Sequence, residues 1–232
     1  VKIRSLLPLS VVAAGAVLGM AATAASAAST TVRQDTATGT PYSGNWQVST
    51  VGPVTFGITF FGQKITGTCD TANLKGTLAS TGEGALTAAS IGACTTSNGL
   101  SSPPTDLGDL PDNTGHVTYN PITGGRDGTL TIDGDLTFTL EGDFLFAHRT
   151  CHYAIRTNAT NTLTFDLYNR DNPNRPLPND DAQGKAVNVT LVKLTGSDGL
   201  CPNNGTLTAT AIARGETTPD SGTYDRKLYV TS

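Results

Sequence analysis

The sequence predicts an all-β fold, an antiparallel sandwich or barrel-like structure with two disulfides and little or no helix in the exported chain. Three observations carry that prediction. Apolar and polar residues alternate with a period of two from Tyr42 onward, and no convincing stretch follows a helical period. Glycine-rich turns separate most of the alternating runs. Four cysteines, an even number, lie in the exported part, where an oxidising compartment favours disulfides.

Export is read from residues 1–27. Lys2 and Arg4 form a basic start, an apolar run extends from Leu6 to Ala22, and "AASAAS" supplies a small-residue cleavage site after Ala27. Ile3 separates the two cations, so the general secretory route is expected rather than a twin-arginine one. No second apolar run of about 20 residues follows, which predicts release into the medium with no membrane association after processing. Without Lys2 and Arg4, 13 basic residues face 19 acidic ones, a formal net charge of −6 that argues against a nucleic-acid partner.

Residues 28–40, "ASTTVRQDTATGT", lack periodic apolar positions and read as a flexible lead-in. Residues 41–232 read as one all-β domain, with a division into two packed sub-lobes near 100–115 as its variant. The expected strands are Trp46–Thr50, Val54–Phe60, Ile65–Cys69, Leu74–Ser80, Ala85–Cys94, His116–Tyr119 and Thr129–Ile132. They continue with Leu136–Leu140, Phe144–Ile155, Leu163–Tyr168, Val187–Leu194, Leu207–Arg214 and Lys227–Thr231.

The clearest alternation runs from Thr129 to Phe146, with Leu130, Ile132, Leu136, Phe138 and Leu140 on one parity and Thr131, Asp133, Asp135, Thr137 and Thr139 on the other. One strand of that length would span about 60 Å, long for one domain. Breaks are therefore expected at "DGD" (133–135) and "EGD" (141–143), either as three-residue hairpin loops or as glycine kinks in continuous strands. Beyond Phe146 the apolar parity flips, which predicts a β-bulge or a change of environment in "FLFA". Proline keeps the segments 97–113 and 170–184 out of central strands, and such loops are where function tends to sit.

The four cysteines, Cys69, Cys94, Cys151 and Cys201, allow three pairings. Sequential pairing, Cys69–Cys94 and Cys151–Cys201, closes the smallest loops and is the expected one. The stretch "AHRTCHYAIR" (147–156) gathers His148, Cys151 and His152. On a helix the two histidines would share a face and could meet at one zinc. On a strand their Cα atoms stand about 13 Å apart and Cys151 points the other way. The β pattern on both sides selects the strand, an inward half-cystine flanked by surface histidines, and no metal or other cofactor.

Other constellations are weaker. Glu141 and Asp143 share a strand face at roughly 7 Å, a spacing that suits a pair of glycosidase carboxylates, and Asp133 and Asp135 repeat it. Solvent-facing acids at turns are the simpler account. Asp106, Asp109, Asp112 and Asn113, or Asn179, Asp180 and Asp181, offer calcium ligands but match no calcium-loop motif. No nucleophile elbow, zinc-protease motif or phosphate loop is present. Trp46, Tyr119 and Tyr168 are the candidate ligand-binding residues, aromatic faces for a sugar or an apolar ligand. Against that, Trp46 packed in the core beside a disulfide is the preferred reading.

The order of signal peptide, "TPYSGNWQVS", "CDTANLKGTLASTGEGALTAASIGAC" and a closing "CPNNGTLTATAIARGE" resembles a group of small secreted β-rich proteins of actinobacteria. The resemblance rests on cysteines, glycines and strands, and it implies export and no transferable catalytic residue. Two functions follow: a secreted, non-catalytic protein that binds an unidentified polymer, glycan, small ligand or protein or serves as a surface or matrix component, or an extracellular carbohydrate hydrolase using paired carboxylates.

Overall fold

The computed structural model describes residues 29–60, 62–107, 114–144, 147–157, 160–186 and 189–232; the leader, 1–27, lies outside them. Nineteen strands form among these residues. The first, β1 (Thr31–Gln34), precedes a series of strand pairs that follow one another along common lines. These are β2 (Gly44–Thr50) and β3 (Val54–Phe60), β4 (Gln63–Cys69) and β5 (Ala72–Leu78), then β6 (Glu83–Ile91) and β7 (Cys94–Thr96). A broken fourth line holds β8 (Ser101–Ser102), β9 (Thr105–Asp106) and β10 (Thr114–Tyr119). Next come β11 (Gly128–Asp133) and β12 (Leu136–Phe144), and β13 (Ala147–Thr157) and β14 (Thr162–Tyr168). The last lines are β15 (Ala182–Ala186) with β16 (Val189–Lys193) and β17 (Asn204–Thr208) with β18 (Thr210–Gly215), followed by β19 (Arg226–Thr231).

Two closed eight-stranded antiparallel barrels result. The first runs β2-β5-β6-β10-β11-β14-β15-β18 and closes where β18 pairs with β2. The second runs β3-β4-β7-β8-β12-β13-β16-β17 and closes where β17 pairs with β3. Both rings follow the same eight lines in the same order, so the chain is an up-and-down meander whose long strands are interrupted at a shared waist. The fold is thus a barrel and not a sandwich. A division of the chain near 100–115 does not describe it, because each line contributes to both barrels.

The waist explains the "DGD" segment. Gly134 takes φ 88° and donates its amide to the Asn161 carbonyl at 2.9 Å, turning the chain without pairing β11 to β12. Of the two expected arrangements the glycine kink is the one formed. Ile132 and Leu136 are both buried on either side of it, so the alternation crosses the waist intact. The line from Gly128 to Phe144, about 55 Å of strand, fits because the molecule is two barrels long. At the far end, β12 and β13 pair from Leu136↔Ile155 to Phe144↔Ala147. Each even position therefore faces an odd one, and this hairpin register accounts for the parity flip; residues 145–146 of "FLFA", where a bulge or a change of environment was expected, lie outside the described residues.

The barrels are filled. Phe56 on β3 and Phe138 on β12 come from opposite walls of the second barrel, and their rings meet edge to face at 6.2 Å, with Tyr153 at 6.0 Å from Phe138. Each such ring contributes about 1.5–3 kcal/mol of apolar burial. Gly67 makes the room: a Cβ there would stand 2.1 Å from Phe56 Cζ. The Tyr153 hydroxyl, pushed up to about 12 by burial, donates to the Pro202 carbonyl. Outward positions carry Thr55, Thr66, Thr68, Thr95, Thr206 and Thr208, all exposed. An apolar interior with a hydroxyl-rich exterior is the reverse of a lipid-facing barrel. No helix of the described residues is long and apolar enough to cross a membrane.

The segment expected as a flexible lead-in is instead structural. All four residues of β1 pair with β19, and Val32, Leu228 and Val230 are buried. This ribbon closes the outer end of the first barrel: Val32 donates to the Ser80 carbonyl, Tyr119 to Thr30 Oγ1, and the Asn169 side chain bonds both backbone groups of Val230. A mostly apolar void of ≈ 60 Å³ lies beneath it, lined in part by Trp46, Leu86, Leu130, Ile132, Leu228 and Val230. Its exposed surface is almost entirely apolar, which makes it a packing gap.

The loop after β18 winds around one carboxylate. Glu216 is buried and accepts from the amides of Gly222 and Asp220 and from Asn45 Nδ2. Burial alone pushes its carboxyl up. The Gly222 amide, Asn45, the Asp220 amide and Ser221 outweigh that and hold it below the usual glutamate value. Its stabilisation is therefore present above the ordinary glutamate range and lost as pH falls through the lowered folded value. E216Q is expected to flatten the acid side of the pH–melting curve while leaving its slope near pH 7 unchanged. An unaltered acid limb would show that this carboxylate stays protonated or unbonded.

Candidate recognition surface

Both disulfides form as expected, Cys69–Cys94 and Cys151–Cys201, and both lie in the second barrel. The "AHRTCHYAIR" stretch lies on β13, with Cys151 inward. His152 contacts Thr139 Oγ1 at 2.8 Å, and His148 lies 3.4 Å from Asp143. The histidines decorate an outer face. The paired carboxylates do not converge in a cleft: Asp143 is 89% exposed, Asp135 grips Arg156 and Asp133 accepts from Thr114. Of the calcium candidates, Asp109, Asp112 and Asn113 lie outside the described residues. Asp180 is held by Arg170 and Lys227, and Asp181 by a two-bond contact from Arg214, so cations already neutralise both. Among the described residues no three His, Cys, Asp or Glu side chains are grouped to hold a metal ion.

Burial keeps Trp46 and Tyr168 from forming an exposed aromatic platform. Trp46 is 6% exposed, its Nε1 donates to the Thr77 carbonyl at 3.0 Å, and its ring lies over Gly76 in the first barrel, away from both disulfides. Tyr168 is buried at the end of β14, and Tyr119 is half-buried with its amide on Thr30. An inward parity claims Trp46 because a large ring gains more in the core than on a wetted face.

A concave surface forms instead where loops meet at the capped end. The β10–β11 turn and the loop after β14 enclose an open groove of ≈ 470 Å³. The turn is tight: Ile122 donates to the Arg126 carbonyl, Gly125 donates to the Ile122 carbonyl, and Gly124 takes φ 72°. Asp127 locks the two walls together, its Oδ2 accepting the Asn169 amide at 2.7 Å and Asn172 Nδ2 at 2.8 Å. Asn172 also donates to the Gly125 carbonyl at 2.9 Å. Arg126 spans Asn120 and Asp166. On the groove's edge Tyr229 donates to Asp171, and burial, then that contact, push its hydroxyl up to about 12. Behind the loop, the fully buried Gln183 bonds the Leu177 amide and carbonyl and Asn179 Oδ1, which fixes a proline-rich stretch that would otherwise sample many conformers.

Sequence reasoning assigned the 170–184 loop to function by composition but missed Ile122, Arg126 and Asp127, which lie in the eight-residue β10–β11 turn. The one available signal was an exposed isoleucine between proline and glycine, "PITGG". A second concavity lies on the outer wall of the second barrel, where hollows of ≈ 630 Å³ and ≈ 330 Å³ share Gly57, Lys64 and Thr206. Its strand-borne threonines are the ordinary water-facing parity of β3, β4 and β17. Compared with protein families, characterised proteins and solved structures, the chain matches no family model, no curated protein and no known structure.

Proposed function

We propose that this is a secreted, non-catalytic binding protein that presents its ligand surface at the capped end of the first barrel. The observation that carries the proposal is the pre-formed groove. Asp127, Asn169 and Asn172 tie two loops together across more than 40 residues of chain, so the walls need no ordering when a ligand arrives. Binding then avoids the entropic cost that mobile loops incur. Export through the leader, with Ala28 as first residue, places that surface outside the cell, and the disulfides suit the compartment. The hydrolase reading lacks such support, because Glu141 and Asp143 are both exposed on β12 and line none of the concavities described above.

The test uses the mature chain purified from culture medium and insoluble cellulose, chitin and peptidoglycan as probes. Ile122 is 51% exposed, so I122R should leave the melting temperature within about 2 °C while lowering retention on the bound polymer at least tenfold. Retention equal to that of the unmodified chain would move the surface elsewhere, and release of soluble sugar from any polymer would overturn the non-catalytic reading.

A further inference from the structure

Resting on the groove as recognition surface, we infer that its ligand is a neutral or basic glycan rather than an acidic one. The groove is amphipathic in the manner of a sugar ring. Pro121, the exposed Ile122 and Pro173 offer an aliphatic surface to the C–H face of a pyranose, while Asp171 and Asn174 offer hydrogen-bonding groups to its rim. No large aromatic is required for that pairing, and the burial of Trp46 is compatible with it.

Charge sets the class. The one cation in the groove, Arg126, is tied to Asp166 at 3.1 Å and to Asn120 at 3.3 Å. Both groove carboxylates are instead held by neutral donors: Asp127 by the Asn169 amide and Asn172 Nδ2, and Asp171 by the Tyr229 hydroxyl. Their negative charge is left for the ligand. Two carboxylates beside a neutralised guanidinium repel a uronate and accept hydroxyl or ammonium donors. Asp171 is exposed and Asp127 is committed to holding the loops, so Asp171 is the group that meets the ligand.

The experiment titrates the mature chain with hexamers of N-acetylglucosamine, glucosamine and galacturonate, reading affinity by calorimetry and location by backbone amide shifts. The glucosamine hexamer should bind at least tenfold more tightly than the galacturonate hexamer, with shifts confined to 121–127 and 171–174. D171N should weaken glucosamine binding about tenfold and bring the two charged ligands closer together, with little effect on the N-acetylated one. Galacturonate bound at the groove as tightly as glucosamine would overturn the ligand class and leave the surface standing. Saccharide shifts mapped to another face, such as Gly57 and Thr206, would overturn the surface itself. No saccharide binding at millimolar concentration would overturn the glycan assignment, and the polymer-retention test of I122R would then decide the groove alone.

Discussion

Replacing Cys151 and Cys201 together with alanine is expected to lower the unfolding free energy by about 4 kcal/mol, since the bridge closes a loop of about 50 residues. In a chain of this size that corresponds to a fall of roughly 8–16 °C in melting temperature. The bond joins the middle of β13 to the β16–β17 loop. That loop also reaches β13 through the Thr150 amide on Asp198 and the His152 amide on Ser197. Losing the bridge frees the loop that caps the second barrel, so exchange protection should fall first at 189–208 and least around β1 and β19. The Cys69–Cys94 pair, with a separation of 25, should cost about 3.5 kcal/mol. A drop below about 3 °C for the Cys151–Cys201 variant would mean that the remaining hydrogen bonds hold the loop alone.

Trp46→Ala should cost about 3–5 kcal/mol, the usual range for deleting a buried aromatic, because the ring fills the first barrel beside an existing void of ≈ 60 Å³. Its neighbour Gly76 cannot compensate, since a Cβ there would stand 2.0 Å from the Ala85 carbonyl oxygen. Urea denaturation measures the loss. Retention of ligand at the groove, measured well below the new midpoint, should be unchanged. A variant that folds as well as the parent but loses ligand would return Trp46 to the binding role that its residue type first suggested.

Much of the fold is legible in the sequence because alternation reports which face of a strand meets water. The thirteen expected runs all overlap described strands, although Ala85–Cys94, Phe144–Ile155 and Leu207–Arg214 each span two of them and residues 145, 146, 187 and 188 lie outside the described residues; the strands that the sequence misses are missed for local reasons. β15, "AQGKA", hides behind Gln183, a fully buried polar residue that serves the loop and breaks the apolar pattern. β1 carries a single buried apolar residue, Val32, and is a strand only because β19 pairs with it. β8 and β9 are two residues each, too short for any period. The candidate site was less legible. Trp46 and Tyr168 suggested binding by residue type, whereas the groove is built from Ile122, Asp127 and Asn172, which have no motif in common.

By itself the sequence determined an all-β chain and the inward and outward sides of its strands, and it favoured, among three possible pairings, the sequential one of Cys69, Cys94, Cys151 and Cys201. These follow from side-chain chemistry at spacings of two residues and from loop length, both local quantities. Only the tertiary structure decided that the eight lines close twice, that Gly134 is a kink at a waist rather than a hairpin, and that the N-terminal strand seals one end. It also decided that two loops 40 residues apart form one groove. Closure and loop contact depend on hydrogen bonds between distant segments, such as β18 to β2 and Asp127 to Asn169, and no periodicity along the chain encodes which distant partner a strand edge or a carboxylate will meet.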